Sequence, residues 1–374
     1  MDYGKLRVMI SGGGTGGHIF PAISIAGRLR SANPDTQILF IGAKGRMEME
    51  KVPAAGFPIE GLPVSGLNRS LSLSGILHNL AVPFRLLRSI SLSGRIIRRF
   101  KPDVVVGVGG YASAPLLFAA QRMGIPTLIQ EQNGFAGLTN RILGRKAGKI
   151  CVAFEGMERF FPADRIVRTG NPIRPEIAAV PSIDRAEASE FHGFTPGRKH
   201  LLVLGGSLGA RTVNESVKRW IADGLPGAED VEVLWQCGRL YKAETDRFLA
   251  DHPAANVRHG DFISRMDLAY AAADLVISRA GASSVSEICA AGKPCIFVPS
   301  PNVAEDHQTH NAMALADRDA AIVIRDADAV ENLLPEAMKL IHDGKALAKL
   351  AANSLEMALP DAAEAIVEEI YRLV

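Results

Sequence analysis

Three short runs of aliphatic and β-branched residues each end in a glycine-rich loop from which a helical pattern begins. This repetition confines the chain to a parallel α/β architecture. KLRVMI leads into Ser11-Gly12-Gly13-Gly14-Thr15-Gly16-Gly17-His18, DVVVGVG into Gly109-Gly110-Tyr111-Ala112-Ser113, and HLLVLGG into Ser207-Leu208-Gly209-Ala210. Strand, bare-backbone turn and helix form the unit of a doubly wound sheet, whose crossover helices cover both faces. Such loops lie at the C-terminal ends of the strands, where backbone N–H groups and the positive end of a helix can receive phosphate.

The rhythm continues along the chain. QILFIG and TLIQEQ alternate with helical stretches over 17–32, 113–123 and 138–147. A second series then restarts with HLLVLGG, a helix near 213–221, VEVLWQ, LVIS, a helix over 283–291 and CIFVPS. At 374 residues the chain exceeds what one core sustains, so two such domains facing a cleft are expected. Between them, Arg168-Thr169-Gly170-Asn171-Pro172-Ile173-Arg174-Pro175 is rich in turn formers, and neither proline can continue a helix. The expected division is an N-terminal domain over 1–169 and a C-terminal domain over 170–360, with a terminal helix in 361–374 returning to the first.

Charge is divided unevenly: residues 1–170 carry 22 Lys and Arg against 10 Asp and Glu, and the remainder 20 against 30. No acidic residue occurs from Gly61 to Pro102. There Arg69, Arg85, Arg88, Arg95, Arg98, Arg99 and Lys101 interleave with Leu73, Ile76, Leu77, Leu80, Phe84 and Leu87. A core-facing helix with solvated arginines could have this composition, but the absence of acids favours attraction to an anionic membrane surface. Nucleic acid is the poorer partner, because aromatics make up only 6% of the chain and this segment offers only Phe84 and Phe100 for stacking. No window reaches the ~18 apolar residues of a membrane span, so attachment would be peripheral. Cys151, Cys237, Cys289 and Cys295 form no C-x-x-C pair and suit a reducing cytoplasm.

Loop chemistry narrows the function. The first loop satisfies G-x-G-x-x-G, yet the next strand ends Ile41-Gly42-Ala43-Lys44 without the acid of a dinucleotide site, and no G-x-x-x-x-G-K-[ST] is present. In Ile277-Ser278-Arg279-Ala280-Gly281-Ala282-Ser283-Ser284-Val285-Ser286-Glu287, Ser284 and Glu287 match a capping box; the same carboxylate could instead accept both ribose hydroxyls of a nucleotide. His18 is placed to take a proton from an attacking hydroxyl. Glu131, just past a strand, could face a ligand or merely cap its own loop. The H-x-x-H of His307 and His310 and the D-x-D of Asp326 and Asp328 make poor metal sites, lacking a third ligand and a strand-end loop respectively. No metal or other cofactor is expected.

The motifs GGGTGGHIFPA (12–22), GVGGYASAP (107–115), EQNGFAGLTNR (131–141), GNPIR (170–174), GGSLGAR (205–211) and SRAGASSVSEICAAGKPCIFVP (278–299) span nearly the whole chain. Together they resemble the undecaprenyldiphospho-muramoylpentapeptide β-N-acetylglucosaminyltransferases of bacterial peptidoglycan synthesis, glycosyltransferases of family 28 with the GT-B fold. The resemblance implies transfer of N-acetylglucosamine from UDP-N-acetylglucosamine to the C4 hydroxyl of the muramoyl sugar of lipid I, an undecaprenyl-linked acceptor. The product would be lipid II, made at the cytoplasmic face of the plasma membrane.

By the same resemblance, Ser207, Ile263, Ala282, Ser283, Ser284, Val285, Ser286, Glu287 and Gln308 would hold the UDP moiety, with Glu287 on the ribose. Asn133, Arg174, Thr15, Gly16 and Gly17 would also face the donor. Gly14, Thr15, Gly109, Gly110 and Tyr111 would line the acceptor, with His18 as general base and Glu131 as second choice. The position before Glu131 is often histidine in that family and is Gln130 here. An inverting transfer calls for one in-line displacement, with UDP leaving toward helix N-termini. The alternative reading is a GT-B transferase acting on another membrane lipid. A non-catalytic UDP-sugar module would need the nucleotide half alone.

Overall fold

Val8 and Ile10 point to one side of the first strand and Met9 to the other, and all three are buried because helices cover both faces of the sheet. The structure is a computed structural model that describes residues 3–66 and 72–374, with all their side chains except those of 73–78 and 304. Arg69 and the side chains of Leu73, Ile76 and Leu77 therefore lie outside the described residues.

Two compact units are formed, one from Met1–Pro172 with Asp361–Val374 and the other from Ile173–Pro360. Among the described residues the first holds seven strands: β1 (Arg7–Ser11), β2 (Gln37–Ala43), β3 (Ile59–Leu62), β4 (Val104–Gly107), β5 (Thr127–Glu131), β6 (Lys149–Val152) and β7 (Ile166–Arg168). Their order is β3-β2-β1-β4-β5-β6-β7, with every pairing parallel. The helices that matter for the site are α1 (Gly16–Ala32), α2 (Glu48–Ala54), α3 (Leu73–Phe100), α4 (Ala114–Arg122) and α5 (Leu138–Gly144). The second unit holds β8 (Lys199–Leu204), β9 (Val231–Gln236), β10 (Val257–Gly260), β11 (Leu275–Ser278), β12 (Cys295–Phe297) and β13 (Ile322–Val323), again all parallel, in the order β10-β9-β8-β11-β12-β13. Both are doubly wound sheets, as the strand–loop–helix repeats predict.

Each sheet reverses its winding once, at β1/β4 and at β8/β11. In an open α/β sheet that is where crossovers diverge and leave a crevice at the strand C-termini. Register aligns the critical loops at these points. Ser11 pairs with Gly107 and Ser278 with Leu204, so in each unit two loops leave the sheet side by side.

The terminal helix Ala362–Arg372 belongs to the first unit. Ile366, Val367 and Ile370 are fully buried in one cluster with Ile19, Ala22, Ile25 and Leu29 of α1. Its polar edge is fastened by Tyr3, whose hydroxyl donates to Glu364, by the Arg28–Glu364 ion pair, and by Tyr371, which donates to Gly4 O at 2.8 Å. Truncating Ile370 to Ala removes a side chain with no exposure and is expected to cost about 2–5 kcal/mol. Urea titration of the pure variant measures this, and an unchanged midpoint would contradict the packing. The four cysteines are unpaired and buried; burial pushes the Cys151 thiol up to about 12 and that of Cys289 to about 11, which keeps both protonated.

Candidate functional site

In the first unit, the loops after β1 and β4 press on each other, and glycine is required where they touch. Gly109 and Gly110 have φ of +92° and +76°. A Cβ on Gly109 would come 3.1 Å from His18 Cε1, and one on Gly110 would come 3.1 Å from His18 Cδ2. The imidazole thus lies on bare backbone. Tyr111 stands over Gly14, where a Cβ would meet its ring at 3.3 Å. Thr15 takes the extended N-cap position of α1, and its carbonyl accepts from His18 N and Ile19 N. The first turn of α1, with Gly16 and Gly17, carries no acidic side chain.

The loop is not simply an open phosphate cradle. Glu48, the first residue of α2, is fully buried; its Oε2 accepts from Gly14 N at 3.1 Å and its Oε1 from Ala43 N at 3.0 Å. A Cβ on Gly13 would collide with this carboxylate, and one on Gly42 would meet Glu48 Cγ at 2.6 Å. The Gly14 N–H, read from sequence as part of an acceptor site, is therefore committed to a carboxylate that ties the loop to the end of β2. Sequence reasoning missed Glu48 because its partners are backbone groups that only the fold brings near. Replacing Glu48 by Ala strips the buried Ala43 N–H of its partner, at an expected cost of about 1–3 kcal/mol. Thermal melting checks this, and a wild-type Tm would refute it.

The end of β5 carries a polar network. Glu131 is 2% exposed and its carboxylate is turned into its own loop. Oε1 accepts from Asn133 N at 3.1 Å and Asn133 Nδ2 at 3.4 Å, while Oε2 accepts from Gly137 N at 3.1 Å and Asn140 Nδ2 at 2.9 Å. These bonds match the loop-capping alternative, and they tie the side chain of Asn133 into the same loop. His18 Nδ1 lies 2.9 Å from Oε1 of the buried Gln132, a residue the sequence reading passed over.

In the second unit, the loop after β8 has Gly206 and Gly209 at φ of +76° and +97° and exposes Ser207. The helix Ala282–Ala290 follows β11 with Gly281 as its N-cap, no side-chain cap and no acid in its first turn. The capping-box reading of Ser284 and Glu287 is thus incorrect: the helix starts three residues earlier than that box requires. Ser283, Ser284 and Ser286 are half-buried, whereas Val285 is 1% exposed and points into the core. Glu287 receives a two-pronged contact from Arg174, Nε to Oε1 at 3.0 Å and Nη2 to Oε2 at 3.1 Å. Burial opposes the charge of Arg174, but Glu287 more than offsets this and raises its pKa. Gln308 Oε1 accepts from Ser300 N at 2.9 Å, which fixes its amide.

Ile263 lines a cavity of about 210 Å³ with Phe191, His192, His259 and Phe262. Burial holds the His192 imidazole below its ordinary pKa. Two aromatic rings, two imidazoles and an aliphatic wall suit a flat heterocyclic base. Phe191 and Phe262 were invisible in the sequence because one ends the helix Arg185–Phe191 and the other lies in the loop after β10, 71 positions later.

Asp326 is held by Arg279 and accepts from Thr212 Oγ1 at 2.9 Å, and Asp328 pairs with Arg325 at 2.7 Å. These carboxylates serve ion pairs that anchor the start of a helix. Among the described residues no three His, Cys, Asp or Glu side chains gather as a metal site.

On α3, Leu80, Phe84 and Leu87 are 64, 75 and 65% exposed, at the i, i+4, i+7 spacing of one helix face. Arg88 is exposed beside them, and Arg85 donates to Ser65 Oγ at 3.1 Å. Ser89, Ser93, Ile96 and Ile97 supply the buried face. Leu80, Phe84 and Leu87 thus point outward, while the C-terminal half of α3 faces the core through Ile96 and Ile97. No described helix is long and apolar enough to cross a membrane.

Comparison with known proteins places these features in a family. Residues 8–152 match the glycosyltransferase family 28 N-terminal domain and residues 200–366 the glycosyltransferase family 28 C-terminal domain. A protein of Parabacteroides distasonis named UDP-N-acetylglucosamine–N-acetylmuramyl-(pentapeptide) pyrophosphoryl-undecaprenol N-acetylglucosamine transferase is 54% identical over 370 residues, covering 99% of both chains. A Bacteroides fragilis protein of the same name is 51% identical, covering 98% of this chain and 96% of its own. The crystal structure of Acinetobacter baumannii MurG superposes with a TM-score of 0.79 at 31% identity, covering 99% of this chain and all of that one.

Proposed function

The chain belongs to glycosyltransferase family 28, and from that premise we infer that it transfers N-acetylglucosamine from UDP-N-acetylglucosamine to a lipid-linked N-acetylmuramyl-pentapeptide. The acceptor atom is the C4 hydroxyl of the muramoyl sugar, and the anomeric centre inverts. The acceptor O–H proton passes to His18 Nε2, the oxygen attacks the anomeric carbon, and the bond from that carbon to the phosphate oxygen breaks, its electron pair leaving with UDP. The observation that carries this reading is the imidazole of His18, seated on Gly109 and Gly110 at the winding switch with Nδ1 against Gln132.

Donor recognition falls to the second unit. The uracil enters the cavity at Ile263 and Phe262, Glu287 accepts from the ribose hydroxyls, and the diphosphate meets the N-terminus of Ala282–Ala290 and the loop at Ser207. Fixed N–H dipoles there stabilise the charge that develops on UDP. The Arg174 fork donates one N–H to each oxygen of Glu287, and each oxygen keeps a further lone pair for a hydroxyl donor. Glu131 holds the loop that presents Gln132 rather than acting as the base. The acceptor's diphosphate is received at the first turn of α1, at Gly16 and Gly17, because Glu48 already occupies the Gly14 N–H.

The outward face of α3 docks on the anionic cytoplasmic leaflet, where the acceptor's lipid resides. Phe84→Ser combined with Leu87→Ser is expected to weaken binding to anionic vesicles at least tenfold, each apolar side chain contributing roughly 1.5–3 kcal/mol when buried. Turnover of a water-soluble acceptor analogue should not change; sedimentation with vesicles, alongside that assay, separates the two effects. For the reaction itself, purified protein is incubated with UDP-N-acetylglucosamine and a short-chain acceptor analogue, with and without EDTA. Equal amounts of disaccharide and UDP, unaffected by EDTA, are expected. Release of UDP without disaccharide would overturn the acceptor assignment.

A further inference from the structure

A neutral imidazole can carry its proton on either nitrogen, and only one choice leaves a lone pair where a base needs it. We propose that Gln132 is a positioning residue that holds His18 as the Nδ1–H tautomer, keeping the lone pair on Nε2; the inference rests on the reading of His18 as general base. A glutamine can turn either its oxygen or its NH₂ toward a neighbour, so the orientation has to be fixed by what surrounds it. Gln132 Nε2 lies 2.8 Å from Val108 O and 3.1 Å from Gln130 O, and also contacts Gln130 Oε1. All three are acceptors. Reversing the amide would set its oxygen against three oxygens, so Oε1 is the atom that faces His18 Nδ1 at 2.9 Å, and Nδ1 must be the donor.

The side chain of Gln130 is fixed in turn. Its Nε2 donates to Asn171 Oδ1 at 2.9 Å, and Asn171 Nδ2 donates to Gln132 O at 2.9 Å, a backbone carbonyl that can only accept. Gln130, Gln132 and Asn171 are 0, 1 and 2% exposed, so water does not compete for these bonds. Three backbone carbonyls, of Val108, Gln130 and Gln132, therefore determine the proton's place on His18 through three amides.

Nitrogen-15 NMR of the histidine-labelled whole protein, with the His18 signals assigned by loss in His18→Gln, reads the tautomer directly. Wild-type protein is expected to show Nδ1–H with an unprotonated Nε2. Gln132→Met, which keeps length but has no strong acceptor, is expected to show Nε2–H or a mixture. Its kcat should fall roughly 10–100-fold, part of the ~10²–10⁴ that a positioned base contributes, with KM for both substrates within about twofold. A wild-type Nε2–H signature overturns the proposal without any variant. So does a folded Gln132→Met that keeps the wild-type tautomer, or one that changes tautomer and retains kcat. If His18→Gln itself retains kcat, the base assignment fails, whereas the tautomer spectrum still reports on the relay.

Discussion

Replacing His18 by alanine lowers kcat by about 10²–10⁴-fold, the range that a positioned general base contributes, while KM for UDP-N-acetylglucosamine stays near its wild-type value. The split is expected because the imidazole belongs to the first unit, whereas the cavity at Ile263 and the Arg174–Glu287 pair belong to the second. The ring is half-buried on two glycines, so its loss leaves a small polar gap and not a broken core; melting should confirm a folded variant. Steady-state kinetics with both substrates varied decides the matter. A kcat within tenfold of wild type would pass the role of base to another group.

The second large effect is expected at Glu287. Alanine there removes charge-assisted hydrogen bonds worth about 1.5–3 kcal/mol, which corresponds to roughly a 10–150-fold rise in KM for the donor. Because Arg174 loses its partner in the same step, the loss alone does not identify a ribose contact. Donors lacking the 2′ or 3′ hydroxyl resolve this. If Glu287 binds the ribose, the deoxy donors cost wild type heavily and the variant little, a non-additivity that marks direct contact. Equal losses in both proteins would reduce Glu287 to an anchor for Arg174.

Much of the architecture was legible before any coordinates. Runs such as RVMIS and HLLVL are buried on both sides and could only be inner parallel strands, and the glycine loops that follow them mark the strand C-termini where a crevice forms. The basic segment without acids was legible as well, but not its orientation. That depends on which stripe of α3 packs on the sheet, and the structure turns Leu80, Phe84 and Leu87 outward.

Individual side-chain roles were less legible. Ser284 and Glu287 have the spacing of a capping box, yet Gly281 begins the helix and Glu287 meets Arg174, 113 residues away in sequence. Glu131 could be read as a ligand-facing acid or a loop cap; its four accepted hydrogen bonds come from residues two to nine positions onward, a local pattern that sequence allowed but could not choose.

Local periodicity and glycine placement, then, decide strands, loops and winding, because those follow from the backbone's own hydrogen-bonding and steric needs over a few residues. Three contacts needed the tertiary structure: Glu48 on the Gly14 N–H, the amide relay from Asn171 to His18, and the aromatic cavity around Ile263. Each joins groups from separate segments whose distance apart is set only when the sheet closes its register. A buried polar atom takes whatever partner the fold brings within about 3 Å, and sequence separation carries no information about that distance.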